Sequence, residues 1–176
     1  VYSGEVMLYN LTKHGNRKVI FILGKGRLLN QSIVSKKPNA LFCEAACPVK
    51  IIEIAEEHFL HLMEQSPALT RAVLREYGRN LWRMSHQLKN TTGNMQMERK
   101  IAAKLWKLGR DFGVDTEDGV MIDIDLTITL MADLVGAPRE NVSRACKVLT
   151  DRGLIRYGNK RFILTDSDGL AEFYKM

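Results

Sequence analysis

Thr129-Leu-Met-Ala-Asp-Leu-Val-Gly136-Ala-Pro138-Arg-Glu-Asn-Val-Ser-Arg144-Ala-Cys-Lys-Val-Leu149 is the stretch whose reading decides the fold. It reads as a short helix, a tight turn at Gly136 and a second helix opening at Pro138, where the missing backbone N–H costs nothing. Leu130, Leu134 and Val135 give the first helix a buried face. Val142, Ala145, Val148 and Leu149 give the second the same 3.6-residue stripe. The opposite face of the second helix carries Arg139, Glu140, Asn141, Ser143, Arg144 and Lys147. Two helices joined by a three- or four-residue turn containing Gly form a helix-turn-helix, whose second helix enters the DNA major groove. A plain surface helical hairpin has the same pattern, so the flanking segments decide.

Downstream, Gly153-Leu-Ile-Arg-Tyr157 and Lys160-Arg-Phe-Ile-Leu164 read as strands joined by a two-residue turn at Gly158-Asn159. Thr165-Asp-Ser-Asp opens a final short helix. A hairpin directly after the second helix makes the unit a winged helix-turn-helix. Upstream, Val120–Leu126 alternates at period two as a half-buried strand, Gly113–Gly119 is an acidic loop, and Met95–Phe112 is an amphipathic helix. Asn90-Thr-Thr-Gly93-Asn breaks the pattern and is the expected hinge.

Before the hinge, Glu56–Glu64 suits a short helix and Pro67 opens a long one running to about Asn90. Leu74, Leu81 and Leu88 recur every seven residues with Tyr77 and Met84 interleaved, a coiled-coil seam of about three heptads. Arg71, Arg75, Arg79 and Arg83 form a basic row at i+4 spacing, read as a solvated face. Residues 1–54 read as short strands: around Val6, Leu8 and Leu11, Val19–Leu23, Leu41–Cys43 and Val49–Ile54, with turns at His14-Gly15-Asn16 and Gly24-Lys-Gly26.

The chain of 176 residues carries a net charge of +6, and the excess is local. Arg139 to Arg161 holds seven bases (Arg139, Arg144, Lys147, Arg152, Arg156, Lys160, Arg161) against Glu140 and Asp151. Asp111 to Pro138 holds seven acids and no Lys or Arg. A concentrated basic segment is the footprint expected for a polyanion. No apolar run approaches the ~18–20 residues of a membrane span. Three cysteines, Cys43, Cys47 and Cys146, imply no disulfide framework and fit a reducing cytoplasm. The opening residues, Val-Tyr-Ser-Gly-Glu, read as the middle of a sheet, so a segment is expected upstream.

The order of roll, long helix, hinge and winged helix-turn-helix resembles the CRP/FNR superfamily of bacterial transcription regulators over essentially the whole chain. The residues that carry the resemblance are Val135-Gly136-Ala-Pro-Arg139-Glu140-Asn-Val142-Ser143-Arg144, with Leu149-Thr-Asp-Arg-Gly153-Leu154-Ile155 leading into the wing. Ser3-Gly4-Glu5-Val6 and Leu8-Tyr9 resemble the family's roll strand. The resemblance implies an α+β fold. Its parts are a partial antiparallel β-roll (double-stranded β-helix or jelly-roll type) as sensor, incomplete at its N-terminus over 1–55, a short helix plus long dimerisation helix and hinge over 56–94, and a C-terminal winged helix-turn-helix over 95–176. It also implies a homodimer on an inverted-repeat site in double-stranded DNA, RNA polymerase as a partner, a small-molecule effector and a cytoplasmic location.

The recognition helix, about 138–152, can be read chemically. Arg144 can donate bidentately to guanine O6 and N7, and Glu140, one turn earlier, can accept from cytosine N4. The two can equally pair with each other. By the resemblance, Arg139, Glu140 and Arg144 match base-reading positions of the family's cyclic-AMP-receptor branch, and Glu140, Ser143 and Arg144 those of its fumarate–nitrate-regulator branch. Asn141 replaces the usual Thr. Lys147, Arg156 and Lys160 complete the expected DNA-binding set.

The sensor pocket departs from the family. Cyclic-nucleotide-binding members carry Gly-Glu and Arg-Ser/Thr pairs. Here the matching positions are Asn30-Gln31 and Asn39-Ala40, and without the buried cation a cyclic phosphate loses its charge-assisted partner. Cyclic AMP is therefore not expected, and the effector is unknown. Ser85 and His86 match positions that contact effector across the dimer seam. Lys36 and Lys37, beside Pro38, read as solvated. Cys43 and Cys47 read as small buried residues, and His58 and His61 share a helix face without the further ligands of a metal site. No nucleophile–base pair, phosphate loop or paired-carboxylate site suggests an enzyme. Asp123 and Asp125 lie on one strand face, read as the solvent face. The competing function is a small-molecule or redox-sensing module without productive DNA binding.

Overall fold

The computed structural model describes the chain apart from residues 14, 31, 34–37, 92–94 and 176, with the side chains of residues 89–91 also outside the described part. The chain divides into two compact units. One comprises Val1–Asn10 and Ile20–Gly93, the other Leu11–Val19 and Asn94–Met176.

In the first unit, β1 (Val6–Leu11) lies between β2 (Arg17–Leu23) and β3 (Phe42–Ala45). β1 and β3 are antiparallel, with Val6 opposite Ala45 and Tyr9 opposite Phe42. Leu8, Phe21 and Leu23 form its buried core, with Ile20, Leu29 and Leu41 packed around them. The expected strand Val49–Ile54 does not form. Only Lys50 makes an isolated bridge, to Ser3, and Ile51, Ile52 and Ile54 are exposed. An apolar run signals a wish for burial, whereas a strand needs a hydrogen-bonded neighbour along its length, and among the described residues the pairing stops at Lys50.

α1 (Glu56–Gln65) and α2 (Pro67–Thr91) follow. Glu56 and Glu57 sit on the positive end of α1. The Ser66 hydroxyl accepts from the Leu69 N–H, satisfying an orphan donor where Pro67 opens α2. At 25 residues α2 is about 37 Å long.

The second unit is built on α3 (Met97–Phe112), whose Ile101, Ala102, Leu105 and Leu108 are buried. The expected acidic loop is instead a hairpin, β4 (Gly113–Thr116) with β5 (Gly119–Ile122). Its two-residue turn, Glu117-Asp118, lacks the Gly that made the other hairpins readable. α4 (Ile128–Val135), α5 (Arg139–Asp151), β6 (Ile155–Gly158), β7 (Arg161–Leu164) and α6 (Ser167–Lys175) complete the unit. Its antiparallel sheet runs β4-β5-β7-β6. Ile122, Leu126, Met131, Leu149, Ile155, Phe162 and Leu170 are fully buried between sheet and helices.

Candidate nucleic-acid interface

The helix pair is locally encoded. The Thr127 hydroxyl accepts from the Leu130 N–H at 3.0 Å, capping α4. Gly136 ends α4 at φ +71°, a left-handed conformation that suits glycine, while its N–H and that of Ala137 both donate to the Ala132 carbonyl. Pro138 is the cap of α5 rather than its first helical residue. The inward face of α4 is Met131, Ala132 and Leu134. The inward face of α5 is Val142, Ala145, Cys146 and Leu149. Val148, expected inside, is exposed, and Cys146 takes its place.

A contact no local pattern announces comes from the tip of the β1–β2 hairpin. The Lys18 ammonium donates to the Leu134 carbonyl at 2.9 Å, and Arg17 lies 3.9 Å from Asp133. A cation thus sits on the C-terminal carbonyls of α4, where the helix dipole favours it. Burial, with a smaller contribution from Lys100, pushes the Lys18 pKa below the usual lysine range.

Outward, Arg139, Glu140, Ser143, Arg144 and Lys147 are exposed on one side of α5, and Asn141 is half-buried. Arg144 does not pair with Glu140. Its Nη2 donates to the Asn141 Oδ1 at 2.5 Å, and among the described residues Glu140 has no side-chain partner.

The wing turns one residue later than expected. Gly158 pairs with Arg161, so the turn is Asn159-Lys160, with φ +50° and +59°. Both central residues at positive φ define the type I′ hairpin turn. Lys160 is exposed at the tip, and its carbonyl accepts from the Leu126 N–H. Arg156, expected on DNA, pairs with Asp118 at 2.5 Å, both side chains exposed. Arg161 bridges Asp123 at 2.7 Å and Asp125 at 3.3 Å. Both acids lie past the end of β5 at Ile122, short of the strand end expected at Leu126, and this segment anchors the wing.

Of the expected effector residues, Asn30, Asn39 and Ala40 are exposed, with Asn30 Oδ1 accepting from the Ser32 N–H. Ser85 donates to the Leu81 carbonyl, and His86 contacts the Trp82 carbonyl, its ring tilted by 31° against the Trp82 ring at a centroid distance of 3.7 Å. Gln31, Lys36 and Lys37 lie outside the described residues, as does the hinge segment 92–94.

The polar groups turned inward on α2 are others, spaced 4, 3 and 4: half-buried Glu76, buried Asn80 and Arg83, and half-buried Gln87. Arg27 donates to Glu76 at 2.7 Å, Arg83 lies 5.0 Å from the Phe21 ring centroid, and Gln87 donates to the Ile20 carbonyl at 3.0 Å. Asn80 and Arg83 are each only 8% exposed, which removes Arg83 from the expected solvated row. Among the described residues, Glu76 Oε1 and Asn80 Oδ1 are buried without hydrogen-bond partners. A polar stripe at helical spacing was the signal available in the sequence.

Of the seam residues, Leu74, Leu81, Met84 and Leu88 are 62%, 68%, 47% and 63% exposed, and Tyr77 is half-buried. Cys43 is exposed and Cys47 half-buried, its thiol donating to the Glu5 carboxylate, so neither is the small core residue expected. Among the described residues no three His, Cys, Asp or Glu side chains converge as a metal site requires, and no helix is long and apolar enough to cross a membrane.

Comparisons with known proteins place this geometry. Residues 99–173 match the Crp-like helix-turn-helix domain. The chain is 25% identical over 172 residues to the CRP-like cAMP-activated global transcriptional regulator of Mycobacterium tuberculosis, covering 97% of this chain and 76% of that one. It is 26% identical over 162 residues to the global nitrogen regulator of a Nostoc species, covering 90% and 72%. A solved CRP/FNR-family regulator from Thermus thermophilus superposes with a TM-score of 0.81 at 22% identity, covering 100% of this chain and 86% of that one.

Proposed function

We propose that the chain, whose residues 99–173 match the Crp-like helix-turn-helix domain, is a transcription regulator of the CRP/FNR superfamily: a cytoplasmic homodimer reading an inverted-repeat operator and controlled by an effector other than cyclic AMP. Regulators of this superfamily bind DNA and act as dimers. The observation that carries the reading is the outer face of α5: Glu140 and Arg144 are both exposed, one turn apart and not paired with each other. Arg144 reads a guanine and Glu140 accepts from a nearby cytosine, giving a G·C-containing half-site core. Arg139, Ser143 and Lys147 flank them, and Lys160 meets the phosphates beyond. Arg156 joins them only by leaving Asp118.

The exposed seam Leu74, Tyr77, Leu81, Met84 and Leu88 supports pairing with a second copy, which sets two recognition helices about one DNA turn, ~34 Å, apart. Leu81→Glu should leave a folded monomer by sedimentation. RNA polymerase is the partner such a regulator addresses. The α2 groups turned toward an effector are Asn80 and Glu76, whose buried oxygens lack partners among the described residues, with Ser85 and His86 on the outer side. The hinge, at Asn90 to Asn94, is where the response would be seen as altered hydrogen exchange. The Mycobacterium tuberculosis relative is described as cAMP-activated. This chain carries Asn39-Ala40 where a phosphate-neutralising Arg would stand, so micromolar cyclic AMP binding by calorimetry would overturn that part.

The test of DNA reading is selection from randomised palindromes, followed by competition binding. Glu140→Ala and Arg144→Ala should each reduce discrimination at one base pair by about 5- to 150-fold, the worth of a bidentate hydrogen-bonded pair to a base edge. Retained sequence preference in both variants refutes the reading.

A further inference from the structure

We propose that Asn141 is a positioning residue for Arg144: its side-chain oxygen orients the guanidinium for base reading and keeps it off Glu140. The inference rests on the DNA-reading function proposed above. Arg144 has two acceptors within one helical turn, the Glu140 carboxylate at i−4 and the Asn141 amide at i−3. A carboxylate is the stronger partner for a guanidinium, since it adds the attraction of opposite charges and can accept two parallel N–H bonds. Yet Arg144 Nη2 donates to Asn141 Oδ1 at 2.5 Å, and Glu140 has no side-chain partner among the described residues.

The choice of partner has a chemical consequence. An Arg144–Glu140 pair would occupy both base-reading groups with each other and would have to be broken on every productive encounter. A neutral amide engages one of the five guanidinium N–H donors and leaves the rest of the fork for guanine O6 and N7. It carries no charge to repel phosphate. Asn141 is half-buried, against exposed Arg144, so the acceptor is the better fixed of the two groups. Holding a long side chain before binding reduces the ordering cost that binding would otherwise bear.

The experiment uses the intact dimer and duplexes carrying each single-base change in the selected half-site. Asn141→Leu keeps the size and removes the acceptor, and leucine is a better helix former than asparagine. Discrimination should fall by about 2- to 10-fold, the worth of one ordered side chain, and at two positions together, those read by Arg144 and by Glu140. Asn141→Asp keeps an acceptor. It should weaken binding to every duplex by repelling phosphate while leaving the discrimination ratios near wild type. Asn141→Leu with wild-type ratios at both positions overturns the inference, as does a uniform loss on all duplexes, which marks Asn141 as a phosphate contact. A wild-type dimer without base preference would refute the DNA-reading function itself and this inference with it.

Discussion

Lys160 occupies the wing-tip position that glycine fits best, and replacing it separates stability from DNA binding. Its φ of +59° is the second positive φ of the type I′ turn. For a residue with a side chain the left-handed conformation costs about 1–2 kcal/mol, while a glycine there gives back about 0.5–1 kcal/mol through the greater freedom of the unfolded chain. Lys160→Gly should therefore stabilise by about 0.5–1 kcal/mol. For a chain of this size that is about 1–4 °C in Tm. The DNA effect has the opposite sign. The substitution removes one phosphate-binding ammonium from each protomer, hence two from the dimer, and each contributes about 0.9 to the slope of log K against log salt. The slope should thus become shallower by about 1.8, so that between 50 and 200 mM salt the wild type loses about 12-fold more affinity than the variant. Fluorescence anisotropy across that salt range, beside a thermal melt, measures both. Lys160→Asn is the control: asparagine tolerates the turn, so the salt slope should fall with little rise in Tm. A higher Tm for Lys160→Gly with unchanged DNA affinity and slope would refute the reasoning, because the lysine would then bear its strain without meeting a phosphate.

Asp118→Asn should free Arg156 and remove a local anion, raising affinity for all duplexes a few-fold and steepening the salt slope; the exposed ion pair it breaks is worth at most about 1 kcal/mol, so urea unfolding should barely move. Asn80→Leu should stabilise by about 1–3 kcal/mol in denaturant unfolding, because it removes a buried acceptor that has no partner among the described residues, and under the proposed function it should abolish the effector response. Burial pushes the Cys146 thiol up to about 11, against an ordinary value of 9.0. The fold thus favours the protonated thiol: its contribution is complete below pH 9 and is lost as pH rises toward 11, so the fall in stability between pH 8 and 10.5 should be smaller in Cys146→Ala. In native protein a thiol reagent should label exposed Cys43 and spare Cys146.

The output end was legible because its determinants are local. Thr127, Gly136 and Pro138 act within a few residues of themselves, and the alternating strands declare their own faces. The errors have the same root. Gly158-Asn159 has the glycine that usually marks a turn, but the register set by Arg161 against Gly158 moves the turn to Asn159-Lys160. Val148 lies at a stripe position, yet it sits at the edge of the buried arc, and Cys146 fills the centre. The Lys18 cap on α4 spans 116 residues of sequence, and no periodicity encodes such a partner.

The sensor end was harder to read because α2 carries two stripes at once. Its exposed apolar stripe, Leu74, Tyr77, Leu81, Met84 and Leu88, follows the 3.5-residue spacing of a coiled coil and dominates the pattern. Its inward polar stripe, Glu76, Asn80, Arg83 and Gln87, runs one residue behind: 76 beside 77, 80 beside 81, 83 beside 84, 87 beside 88. Neighbouring residues on a helix are about 100° apart, so the two stripes are adjacent faces of one rod. A turn of that rod which seats Asn80 or Arg83 differently on β2 must also turn Leu81 and Met84 against whatever covers the seam. Under the proposed function, effector occupancy on one face and dimer geometry on the other are therefore one coordinate, and the oxygens of Glu76 and Asn80 that lack partners among the described residues are where that coordinate has stability left to gain.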